Sequence, residues 1–64
     1  MKMITTITSE HHSVTMSGIP FFDISDNEED KTVCILNSQL DVISNTFLLS
    51  EVLEIKVIIL HEED

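Results

Sequence analysis

Leu36-Asn37-Ser38-Gln39-Leu40-Asp41-Val42-Ile43-Ser44-Asn45-Thr46-Phe47-Leu48-Leu49 is the stretch on which the fold turns. Leu36, Leu40, Ile43 and Phe47 are spaced by four, three and four residues, the stripe of an amphipathic helix. Ser38-Gln39-Leu40-Asp41 reads as a capping box with Asp in the place of Glu. Against the helix stands Val42-Ile43-Ser44-Asn45-Thr46, β-branched and short polar residues that make a poor helix interior. The spacing predicts a helix from about Gln39 to Leu49. Read as extended chain, the same residues make the protein all-β.

On either side the patterns are those of strands. Val14, Met16 and Gly18 alternate with Ser13, Thr15 and Ser17, the period of a half-buried strand over residues 13 to 19. Lys2 to Ser9 is rich in Thr and Ile, which suit a pleated surface, and Glu10-His11-His12 is a polar step compatible with a hairpin. Pro20 confines Ile19-Pro20-Phe21-Phe22 to an edge or bend, because it has no N–H to donate; the two phenylalanines are expected to enter the core. Thr32 to Leu36 is a buried β-branched run. Leu53, Ile55, Val57 and Ile59 alternate with Glu54, Lys56 and Ile58, and residues 57 to 60, apolar on both faces, predict a central strand.

The predicted order is strand, strand, strand, helix, strand. This is an α+β domain in which a small antiparallel sheet of three to four strands carries one helix on one face, burying Phe21, Phe22 and Phe47. The alternative is a small all-β barrel. A chain of 64 residues buries only about 60% of its unfolded surface, so residues 1–64 are read as one domain. So small a core commonly needs a disulfide, a metal or a second subunit. Cys34 is the only cysteine and excludes an intrachain disulfide; its apolar setting is that of a buried thiol. No apolar run approaches the roughly 18 residues of a membrane span. These features predict a soluble cytoplasmic protein.

Charge is the other strong signal. Twelve acidic residues stand against three lysines and no arginine, a formal net charge of −9. Most of the acid lies in Asp23, Asp26, Glu28, Glu29 and Asp30, read as a loop, and in Glu62, Glu63 and Asp64. Phosphate backbones are held by Lys and Arg, so direct nucleic-acid binding is disfavoured. Solvated loop acids lack the displaced pKa of general acids or bases. No signature joins Cys34 to His11, His12 or His61 as a nucleophile, and a 64-residue chain seldom encloses a pocket of about 300 Å³. Adjacent His11 and His12 point to opposite faces of a strand, and Asp23-x-x-Asp26-x-Glu28 lacks the alternation and glycine of a calcium loop. No enzyme activity, metal or cofactor is predicted.

What remains is binding to another protein. An acidic patch accelerates encounter with a basic partner, and the basic surfaces of proteins are commonly those that hold nucleic acid. The expected function is that of an acidic, DNA-mimic-like inhibitor of a nucleic-acid-handling protein, by analogy of size and charge with phage or mobile-element counter-defence proteins. Asp23, Asp26, Glu28, Glu29, Asp30, Glu62, Glu63 and Asp64 would stand in for phosphates, with Ile19 and Phe21 as an apolar centre. The alternative is a structural or assembly protein that self-associates, as a homodimer, through edge strands such as residues 2 to 9 or 53 to 61.

Overall fold

The computed structural model describes residues 2–24 and 31–61. Its strands are β1 (Lys2–Ser9), β2 (Ser13–Ser17), β3 (Ile19–Asp23), β4 (Thr32–Leu36), β5 (Phe47–Leu48) and β6 (Val52–Leu60), with a 3₁₀ turn at Leu49–Glu51 before β6. They form two three-stranded antiparallel sheets, ordered β2-β1-β6 and β3-β4-β5. The α+β expectation is therefore corrected. The described chain is all-β, and its strands lie in two separate sheets instead of one sheet under a helix or one closed barrel.

The predicted helix over 39–49 gives way to a turn and an irregular strand. Asn37 Oδ1 accepts the backbone N–H groups of Gln39 and Asp41, each at 2.9 Å, so Asn37, not Ser38, captures the donors a helix would have used. Leu40 sits at φ 66°, a left-handed conformation that breaks a helix and is rare for leucine. The chain then runs back along β4. Val42 bridges Leu36, Ile43 N–H donates to Ile35 C=O at 2.9 Å, and Phe47 stands opposite Val33. β-Branched residues that weaken a helix are at home here.

This return carries extra residues between its two pairings, and a side chain fills the gap in the ladder. Ser44 Oγ accepts the Ile35 N–H at 2.8 Å and donates to Asn45 C=O. Ile35 is fully buried, so its amide has no water to turn to. Ser44→Ala is expected to lower stability by about 1–2 kcal/mol, the cost of an unsatisfied buried donor, measured by urea unfolding. Ser44→Thr, which keeps the acceptor, is expected to recover most of that loss.

The core lies where the sheets face each other. Ile7 from β1 meets Val33 and Ile35 from β4, all with no accessible surface, and Val14, Met16, Phe47, Leu49, Val52 and Ile55 pack around them. Strands β2 and β3 are joined by Gly18 alone, where the chain passes from one sheet to the other. β1 is central in its sheet, and its buried polar side chains are satisfied there. Thr5 Oγ1 donates to Gly18 C=O at 2.7 Å, and Ser9 Oγ donates to His12 C=O at 3.1 Å, closing the Glu10-His11 hairpin.

Three further expectations are corrected. Residues 57 to 60 are on an outer strand, and all four are exposed. Val57 and Ile59 stand opposite Thr5 and Met3 on the core-facing side, yet sheet β3-β4-β5 does not reach over them; the molecule is long and thin, 45 × 23 × 15 Å. Residues 2 to 9 are paired on both sides and offer no free edge. Phe21 and Phe22 do not enter the core, being 50% and 44% exposed. Phe22 opposes Val33 on the core-facing side, but β3 is an outer strand and its inward side chain lies on an open rim.

Candidate partner-binding face

Antiparallel pairing of β3 with β4 sets Ile19 opposite Leu36, Phe21 opposite Cys34, and Asp23 opposite Thr32. Alternation along each strand puts these six residues on one face of the sheet, the one turned away from the core. Leu40 and Val42, delivered by the turn at Asn37, stand beside them. Together they line an open groove of about 560 Å³. Its floor is Cys34 and Leu36, both buried; its walls are Phe21, Leu40 and Val42, all exposed. A second groove, of about 440 Å³, adjoins it around Gly18 and brings Lys2 close to Ile19, Leu36 and Leu40.

The structure thus brings together three of the residues singled out in the sequence. Ile19, Phe21 and Asp23 form a line along one strand face, with the carboxylate at the end from which the acidic run departs. Asp26, Glu28, Glu29, Asp30, Glu62, Glu63 and Asp64 lie outside the described residues. The predicted order has no strand over residues 19 to 23, where Pro20 reads as an edge or bend; pairing with β4 is what gives residues 19, 21 and 23 a shared side. Leu36, Leu40 and Val42 were missed as groove residues because a helical reading turns Leu36 and Leu40 toward the core.

Asp23 and Cys34 are the ionisable side chains of the larger groove. Burial pushes the Cys34 thiol above its usual range, and the charge of Asp23 pushes it the same way. A raised pKa leaves little thiolate at neutral pH, so Cys34 behaves as an apolar floor, not as a nucleophile. His11 and His12 are exposed at the β1–β2 hairpin. Among the described residues, no three His, Cys, Asp or Glu side chains gather closely enough to hold a metal ion. None of the described segments is a helix long and apolar enough to cross a membrane.

No protein-family model matches the chain, and no curated protein or solved structure is significantly similar to it.

Proposed function

We propose that the chain is a non-enzymatic protein-binding module whose acidic surface engages the basic surface of a nucleic-acid-handling protein, in the manner of a DNA mimic. The observation that carries this reading is the line of Ile19, Phe21 and Asp23 on one exposed strand face, in a chain of net charge −9. Collective negative charge steers a basic partner, while a desolvated apolar centre holds it. Phe21 is the anchor, with Leu40 and Val42 around it. The acids 23 to 30 and 62 to 64 supply the long-range field, and the reading places the protein in the cytoplasm, with no direct contact to nucleic acid or membrane.

The test is a tagged pull-down with salt-gradient elution, followed by competition with duplex DNA. The expected outcome is one DNA- or RNA-binding protein, released by moderate salt and by the competing polyanion. With that partner, the triple change E28Q/E29Q/D30N is expected to slow association about tenfold at low ionic strength and to flatten its salt dependence. Phe21→Ala is expected to speed dissociation instead. A captured protein that DNA does not displace, or an association rate indifferent to the triple change, overturns the electrostatic reading.

A second reading, an assembly protein that binds its own kind, is favoured by one observation. Strand β6 is an outer strand of nine residues whose last four are apolar and exposed.

A further inference from the structure

The four outer strands are not equally open to pairing. β3 carries Pro20, which interrupts its ladder of donors. β5 is two residues long, and β2 is five, ending at the Gly18 crossing. β6 has nine residues, with neither proline nor glycine. Leu53, Val57, Ile58, Ile59 and Leu60 are all exposed on it, Leu53 at 68%. Its regular pairing with β1 runs from Glu54 to Leu60, and an extra residue, Leu53, bulges beside Ser9. Buried apolar surface is correspondingly scarce, with five buried hydrophobic residues against thirteen large exposed ones among the described residues.

Lys56 is the kind of residue that blunts an edge, but Glu54 stands two positions away on the same side of the strand. The two form a self-complementary pair. We infer that β6 pairs antiparallel with β6 of a second copy, with Ile55 on the two-fold axis, so that Glu54 of each chain faces Lys56 of the other. The result is a continuous six-stranded sheet, β2-β1-β6-β6-β1-β2. This deepens the assembly reading above and rests on it.

The register follows from charge. In an antiparallel pair related by a two-fold axis, opposed residue numbers have a constant sum. Only Ile55 on the axis sets Glu54 against Lys56 twice; Lys56 on the axis would set the two lysines together. Beyond the charges, Val57 and Ile58 meet Leu53 and Val52 of the second copy, covering the most exposed residue of the strand. Among the described residues, the solvent-side face of this sheet is not dominated by acid. By the β1–β6 register, Lys2, Lys56 and Glu54 share it, so it carries two of the three lysines and a single described acid. Antiparallel pairing sends the two C-terminal ends, each followed by Glu62-Glu63-Asp64, about 33 Å apart along the joined strands, whereas parallel pairing sets them side by side.

The experiment is sedimentation of the full chain across the micromolar range, with five samples. Wild type is expected to reach twice its 7.3 kDa mass. Glu54→Lys and Lys56→Glu each turn both ion pairs into like-charge pairs and are expected to weaken the dimer tenfold or more, with circular dichroism unchanged, since both side chains are exposed. An equimolar mixture of the two variants recreates both pairs and is expected to restore the dimer, as is the exchange E54K/K56E in one chain. A wild type that stays monomeric overturns both self-association and this interface. A dimer indifferent to the single changes, or one that mixing does not restore, overturns the register and leaves self-association standing.

Discussion

Gly18→Ala lowers the melting temperature by roughly 12–24 °C, the shift expected of about 3 kcal/mol in a domain this small. A Cβ at residue 18 runs into the Leu36 C=O oxygen and, at 2.8 Å, Ile35 Cγ2. The nearer contact is backbone of the central strand β4, which cannot rotate away. Residue 18 cannot retreat either, because its N–H donates to Met3 C=O at 2.9 Å and its C=O accepts Thr5 Oγ1. The conformation itself is not left-handed, so the requirement for glycine is one of space. Thermal unfolding followed by circular dichroism measures the effect, and a shift of only a degree or two would show that the two sheets are less tightly joined at this crossing than described. Thr5→Val, which removes one of the two tethers while keeping the shape, is the milder companion.

The second large effect is at the centre. Ile35→Ala costs about 2–5 kcal/mol, the sum of lost transfer energy and an unfilled cavity, because among the described residues Ile35 is one of three apolar side chains with no accessible surface, packed with residues of both sheets. So large a fraction of a marginal stability leaves the variant substantially unfolded in dilute buffer. Ile59→Ala removes the same atoms from a side chain that is half exposed and is expected to cost less than about 0.5 kcal/mol when measured below the concentration at which copies associate. Equal losses in the two variants would contradict the placement of the core between β1 and β4.

These contrasts show where the sequence was sufficient and where it was not. Thr- and Ile-rich composition located Lys2–Ser9, a β-branched apolar run located Thr32–Leu36, and period-2 alternation located the strand read over residues 13 to 19, which stops at Ser17, because each depends on its own residues. Position within a sheet does not. Val57 to Leu60 are apolar on both faces, which in a large protein places a strand in the middle; here the opposite sheet is too small to reach them. The helical stripe Leu36, Leu40, Ile43 and Phe47 was outweighed by one side-chain amide, Asn37, and by β-branched residues that extend along β4. Of the candidate site, Ile19, Phe21 and Asp23 were singled out one by one, but their alignment was not legible, because Pro20 breaks a donor ladder and the residues around it read as an edge or bend. The groove that Leu40 and Val42 complete depended on a turn that no local pattern announced.

One pairing carries a consequence for the order of events during synthesis. β1 is flanked by β2, which follows it at once, and by β6, which is made only after every strand of the other sheet. The hairpin of β1 and β2 therefore emerges from the ribosome with one side of β1 unsatisfied, and it waits through the translation of some forty residues for its second neighbour. A nascent chain paused at Glu51 would display a Thr- and Ile-rich strand with open amides to whatever chaperone stands at the tunnel exit.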